Sequence, residues 1–236
     1  MFQMLGEKIR VAVCVPSSGQ CSTWFAQSLA GLMQCSQTLR ARPEAESFSI
    51  TVLVQESSVI HGNREKLVER AIEWDCTHVL FIDDDMVFNP HMLEMLLSRR
   101  QPYVACNYPK RGFPIVFTAT KADKSSDMPT TKHSLGMEEA WYTGFGFCLI
   151  ERQVFEKTPK PWFLPQYVAE LNEYTTEDNP FCERVRKAGF TILVDHSASR
   201  LLGHVGKHIY TWKDHPEAEE EVETESPKFS VVPNAA

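Results

Sequence analysis

The chain has 236 residues, of which 43% are hydrophobic and 23% charged, the ordinary balance of a globular domain with enough apolar material for a sizeable core. Its formal charge of −7 belongs to one end: residues 214–226 carry seven acidic side chains and no Lys or Arg, and with Lys228 also set aside the first 213 residues stand at about −1. A nearly neutral body disfavours a nucleic-acid backbone as partner, and apolar runs no longer than a strand exclude stable membrane insertion.

The first ten residues include Glu7 and Lys8 and have no signal-like apolar stretch, so a cytoplasmic location is expected. The seven cysteines agree: their number is odd, they are widely spaced, and no C-x-x-C pair occurs, which fits reduced structural thiols.

Residues 9–15 (IRVAVCV) form a β-favouring apolar run halted by Pro16, Ser17, Ser18 and Gly19, the pattern of a buried first strand ending in a turn. Helical spacing of apolar residues follows from Ser22 to about Leu39. A second strand covers 48–55 and an amphipathic helix covers 63–74, its core stripe made by Leu67, Val68, Ala71, Ile72 and Trp74. Residues 77–82 (THVLFI) give a third strand that runs into Asp83, Asp84 and Asp85. Asn89 and Pro90 then mark a helix start, with the helix reaching about Arg100, and 103–107 is a further strand. Alternating strands and helices imply an α/β fold on a mixed, mainly parallel sheet.

Beyond residue 107 the pattern is broken by Pro109, Gly112, Pro114, Pro129 and Gly136, with 121–132 reading as a flexible loop or hairpin. Residues 141–150 (WYTGFGFCLI) return to strand character. Thr176, Glu177, Asp178, Asn179 and Pro180 open a helix that Gly189 ends. A short strand at 191–194 precedes a glycine-flanked histidine, His204, and a charge-dense tail follows from about Lys213.

The chemically informative cluster is Asp83-Asp84-Asp85. Adjacent carboxylates repel, and a strand's carboxyl end is where open α/β sheets bind ligands. In an extended segment Asp83 and Asp85 share one side and Asp84 takes the other, so one side offers two hard oxygen donors suited to Mg2+ or Mn2+ on phosphate oxygens. The bland alternative is a solvated acidic turn ahead of the next helix. Haloacid-dehalogenase-type phosphatases also place Asp-x-Asp after an apolar strand, but after the first strand and with a different continuation.

The order of these features over about residues 9–206 resembles GT-A glycosyltransferases: a strand ending in Pro16-Ser17, a second ending at Glu56, a helix beginning near Arg64, the Asp83–Asp85 cluster, an acidic helix start at Glu177-Asp178, and a downstream His204. The resemblance implies one GT-A domain over 1–213, with a nucleotide-binding half at about 9–107, an acceptor and catalytic half at about 108–213, and an acidic flexible tail at 214–236. It implies transfer of a sugar from a nucleoside diphosphate-sugar to an acceptor hydroxyl, with Mn2+ or Mg2+ as cofactor. Pro16, Ser17, Glu56, Arg64, Asp83, Asp84, Gly144 and Lys207 are the implied donor-binding residues. Asp83, Asp85 and His204 are the implied metal ligands. Asp178, with Glu177 beside it, is the implied catalytic base, and mutual repulsion is expected to raise one of the two pKa values. Gly144 lies in a segment that resembles the glycine-containing strand beneath the donor sugar, and Trp141 and Tyr142 are candidates for stacking on an acceptor.

Expected partners are a UDP- or GDP-sugar donor and an acceptor that is a glycan, a small molecule or a modified base; a homo-oligomer is compatible with the sequence. Retention or inversion is open. Two other readings compete: a sugar-phosphate nucleotidyltransferase, which normally carries a basic residue in the glycine-rich loop after the first strand, absent from residues 16–20, and a non-catalytic nucleotide-sugar binding module.

Overall fold

The computed structural model describes residues 8–40 and 48–216, without the side chains of Leu39 and Arg40. Its strands and helices are β1 Ile9–Ser17, α1 Thr23–Arg40, β2 Phe48–Glu56, α2 Ile60–Glu73, β3 His78–Ile82, β4 Met86–Phe88, α3 Met92–Ser98, β5 Tyr103–Ala105, β6 Thr120–Lys121, β7 Met137–Tyr142, β8 Phe147–Glu151, α4 Arg152–Lys157, β9 Tyr167–Val168, β10 Glu173–Tyr174, α5 Asp178–Lys187, β11 Leu193–Asp195, α6 His196–Ser199, β12 Leu202–Val205 and β13 Ile209–Tyr210. The central sheet has eight strands in the order β2-β1-β3-β8-β5-β11-β7-β6. Neighbours β2/β1, β1/β3 and β5/β11 are parallel, whereas β8 and β7 run against their neighbours. The α/β class and the mixed sheet therefore match the sequence reading.

Alternation along the inner strands divides the core between the two faces of this sheet. Val11, Val13 and Val15 of β1 and Leu80 and Ile82 of β3 pack on one side with Phe25 and Leu32 of α1 and with α3. Ala12, Cys14, Val79 and Phe81 face the other side, against Leu67, Val68 and Ala71 of α2 and the rings of Phe155, Phe163 and Phe181. Burial on both faces is why β1 reads as a continuous apolar run. All seven cysteines are free, five of them buried.

Several boundaries differ from the sequence reading for local reasons. The 63–74 helix starts a turn earlier, at Ile60, where the Ser57 hydroxyl accepts the Val59 N–H (2.9 Å). Trp74 lies past that helix, beneath the Arg10 guanidinium (4.1 Å to the ring centroid). Asn89 does not cap α3; its Oδ1 accepts the His91 N–H (2.9 Å) in a preceding turn. The single strand expected over 141–150 is two strands far apart in the sheet, β7 and β8, because the backbone turns away through Thr143–Gly146. Strand β4, three residues long, is too short to show periodicity in the sequence. It pairs with β12 in a small sheet, β13-β12-β4, that sets Met86 opposite His204.

The folded body continues past residue 213: Asp214 closes a capping box on Thr211 and pairs with His208 (3.0 Å). The tail expectation for 217–236 lies outside the described residues. Among the described residues no helix is long and apolar enough to cross a membrane.

Candidate active site

The acidic cluster is not extended. Met86 N–H donates to Asp83 O (3.1 Å), so residues 83–86 form a turn between β3 and β4. A turn breaks the two-residue side-chain alternation of a strand, and Asp83 and Asp85 consequently take different partners. This corrects the expectation that both lie on one side.

Asp83 accepts from Arg64 Nη2 (2.8 Å), and Arg64 Nε donates to Glu177 (3.0 Å). The Arg64 side chain is almost fully buried, over the rings of Phe81 and Phe145 (5.3 and 5.0 Å). Burial disfavours its charge, but Asp83 and then Glu177 outweigh that, and its pKa is raised. Arg64 thus joins the turn after β3 to the segment before α5, with its Nη1 buried and without a hydrogen-bond partner. Arg64→Met would strand two partly buried carboxylates, the situation that costs about 3–5 kcal/mol. Thermal unfolding of that variant is expected to show a Tm lower by roughly 6–20 °C, and an unchanged Tm would refute this bridging role.

Asp85 turns instead toward β12. Its backbone carbonyl accepts the Val205 N–H (2.7 Å), and its Oδ2 lies 3.4 Å from His204 Nε2. His204 Nδ1 is 3.0 Å from the Pro109 carbonyl, which can only accept, so the proton is on Nδ1 and Nε2 presents a lone pair. Burial first, and the Arg111 charge besides, lower the His204 pKa against the opposing Pro109 hydrogen bond and Asp83 charge, and the net lowering favours the neutral ring. Two lone-pair donors therefore face the same point. The Arg111 guanidinium fills it, pairing with Asp85 Oδ2 through Nη2 and donating from Nε to His204 Nε2 (3.0 Å). Asp85 Oδ1 is buried with no partner.

A divalent cation suits this pair. The 3.4 Å separation is less than twice a metal–oxygen bond of about 2.1 Å, and a carboxylate with a neutral imidazole is a common Mn2+ donor set. The expected three-ligand set of Asp83, Asp85 and His204 is not assembled, because Asp83 is committed to Arg64. Among the described residues no group of three or more His, Cys, Asp or Glu side chains is arranged around one point.

The other sequence-derived residues fall as follows. Pro16 and Ser17 end β1 opposite Gln55 and Glu56. The Ser17 carbonyl accepts the Ser57 N–H (3.0 Å) and Asn63 Nδ2 (3.2 Å), and Gly19 N–H donates to the Ser17 hydroxyl (3.0 Å). Glu56 lies against Gly19, where φ is +103° and an added Cβ would come within 2.8 Å of Glu56 Oε1. Asp84 accepts the Ser22 N–H through its backbone (3.2 Å), anchoring the start of α1, and its Oδ2 is buried and unpartnered. Lys207 is exposed in the β12–β13 turn.

Gly144 has a packing reason in the fold. A Cβ there would come within 2.5 Å of the Tyr108 hydroxyl, and one at Gly146 within 2.5 Å of Tyr108 Cζ. Both glycines make room for the buried Tyr108 ring, whose hydroxyl accepts the Gly146 N–H (2.9 Å) and which lies nearly perpendicular to the His204 ring (5.3 Å between centroids).

Asp178 begins α5, receiving hydrogen bonds from the Tyr142 hydroxyl (3.1 Å), the Thr176 hydroxyl and the Asn179 N–H (3.0 Å). Its pKa is raised, mainly by burial and further by the Glu177 charge, against the Thr176 bond, Arg64 and the Tyr142 bond. Of the two aromatics expected to stack on an acceptor, Tyr142 donates its hydroxyl to Asp178 (3.1 Å), and Trp141 has Lys124 and Arg186 over its ring (3.7 and 4.2 Å to the centroid).

No protein-family model matches the chain, and no curated protein matches it. Among solved structures it is similar to the crystal structure of A197 from STIV, with a TM-score of 0.55 and 16% identity, over 92% of this chain and 100% of that one. At that identity the likeness establishes a shared fold.

Proposed function

We propose that the chain is a GT-A-type glycosyltransferase that moves a sugar from a UDP- or GDP-sugar to an acceptor hydroxyl, with Mn2+ or Mg2+ held by Asp85 and His204. The observation that carries this reading is the pair of lone-pair donors, Asp85 Oδ2 and His204 Nε2, aimed at one point beside a buried and unpartnered Asp85 Oδ1. When bound, the cation supplies neutralisation of the charge that develops on the leaving diphosphate. Two protein donors suffice for such an ion where phosphate oxygens and water complete the coordination.

The chain's own residues would then divide the work. Ser17, Glu56 and Asn63 frame the nucleotide side at the ends of β1 and β2. Arg64 holds Asp83 and Glu177 in place and keeps the two halves of the site in register. Asp178 takes the proton from the acceptor hydroxyl: its raised pKa makes it a stronger base than an exposed carboxylate, and Tyr142 and Thr176 fix its direction. The proposed acceptor is a glycan, a small molecule or a modified base.

Nucleotidyl transfer is opposed by a specific feature. The loop after β1 brings the Glu56 carboxylate against Gly19, where that chemistry calls for a basic group. Incubation with a panel of UDP- and GDP-sugars and Mn2+ tests the proposal. Slow release of free sugar and nucleoside diphosphate from one donor is expected. Binding without release from any donor favours a binding module, and the absence of both binding and release for every donor would contradict the reading.

A further inference from the structure

The seat between Asp85 and His204 is built for Arg111. Two guanidinium nitrogens meet the two donor atoms, Nη2 at Asp85 Oδ2 and Nε at His204 Nε2. The stem of Arg111 crosses Gly206 closely: an added Cβ would stand 3.0 Å from Arg111 Cδ and 3.4 Å from Cγ, so any side chain there would push the stem aside by a few tenths of an ångström. The same excursion supplies the Pro109 carbonyl that fixes the tautomer of His204 (3.0 Å). It is closed on itself by Lys110 N–H to Val116 O (2.7 Å) and Thr118 N–H to Tyr108 O (3.0 Å). Arg111 nevertheless has a side chain 50% exposed, so it can leave its seat without uncovering the core.

We infer that Arg111 is a resident counter-cation that competes with the divalent ion for Asp85 and His204 and thereby makes ion binding depend on the nucleotide. This rests on the proposed cation-dependent function. His204 Nε2 has a single lone pair, which cannot serve the Arg111 Nε–H and a metal ion at once, so the two occupancies exclude each other at that nitrogen. An ion arriving alone would release Arg111 unpaired beside a dication. An ion arriving with a diphosphate brings the negative charge that re-pairs the guanidinium, and a planar guanidinium fits phosphate oxygens two at a time. Arg111 is thus a positioning residue that penalises the ion alone and tolerates the ion with nucleotide, a coupling between two ligands of the same site.

Titration of the full chain with Mn2+, followed by electron paramagnetic resonance of the free ion with and without saturating UDP or GDP, reads this out without turnover. Arg111→Met is expected to bind Mn2+ alone about tenfold or more tightly than the unmodified chain, within the usual 5–150-fold range of linked binding, and the gap should narrow when the nucleotide is present. Arg111→Gln, which keeps a hydrogen-bonding head without the charge, is expected to behave alike. Equal or weaker Mn2+ binding in folded Arg111→Met and Arg111→Gln would overturn the inference and leave the cation site standing. No bound Mn2+ in any of the three proteins, with or without either nucleotide, would remove the functional reading together with the inference.

Discussion

Asp85→Ala is expected to lower sugar transfer and donor hydrolysis by about 10³-fold or more, the loss that follows when several kcal/mol of charge stabilisation on the leaving group disappears. The effect should be confined to chemistry and ion binding. The fold uses the Asp85 backbone, whose carbonyl holds Val205 across the junction of β4 and β12, and an alanine keeps that bond. The deleted side chain has one oxygen buried without a partner and another tied to a half-exposed arginine, so its removal strands no buried charge. A Tm within about 4 °C of the unmodified protein is expected, the shift that roughly 1 kcal/mol produces in a domain of this size. Retained transfer in a folded Asp85→Ala protein would contradict the ion-binding role of Asp85.

Asp178→Asn is expected to reduce transfer by about 10²–10⁴-fold, the usual contribution of a positioned general base. With the amide oxygen in the Oδ1 position the bonds from Thr176 and Asn179 are kept, and the NH2 can donate to the Tyr142 hydroxyl oxygen, so orientation is preserved while basicity is lost. The pH dependence has two parts with definite signs. As a base, Asp178 must be ionised, so transfer is present above its folded pKa and lost as pH falls through it. Because burial and Glu177 raise that pKa, the acid limb should lie above the ordinary aspartate value of about 3.9.

For stability, a raised carboxyl pKa means that the native state binds more protons than the unfolded chain between the two values, so stability falls as pH rises through that window. Asp178→Asn should therefore be as stable as the unmodified protein or more so at neutral pH, with any gain vanishing below the unfolded-state pKa. A pH–rate profile of the unmodified protein, paired with thermal unfolding of both proteins at several pH values, checks each sign. A transfer rate in Asp178→Asn equal to that of the unmodified protein would dismiss Asp178 as the base.

Much of the site was legible in the sequence because its carriers sit at the ends of strongly patterned elements. The apolar run at 77–82 announces where β3 stops, and hence where Asp83–Asp85 stand; Glu177 and Asp178 similarly precede a clear helix. What periodicity does not encode is which way a side chain turns once the strand has ended. The turn at 83–86 separates Asp83 from Asp85, and only the fold shows that Arg64 takes one while His204 and Arg111 take the other. Arg111 was hidden for the same reason, in a Pro- and Gly-broken stretch without period, its sole local signal the basic pair Lys110-Arg111 between Pro109 and Gly112.

Asn63 and Tyr108 were likewise missed, since a polar residue in a first helical turn and a tyrosine after a strand are ordinary there. Their roles come from contacts distant in sequence: Asn63 reaches Ser17 and Ser57 (3.2 and 2.9 Å), and Tyr108 fills the space left by Gly144 and Gly146. The two glycines were visible, but their reason was not, because the ring that needs them lies more than thirty residues earlier.

The most direct measurement is calorimetric binding of UDP and GDP with Mn2+ and, separately, with EDTA, on the unmodified protein and on His204→Gln. Mn2+ is expected to tighten binding of one nucleotide by tenfold or more, about 1.4 kcal/mol, in the unmodified protein and to do so far less in His204→Gln. Equal affinity with Mn2+ and with EDTA for both nucleotides would contradict a cation seated between Asp85 and His204.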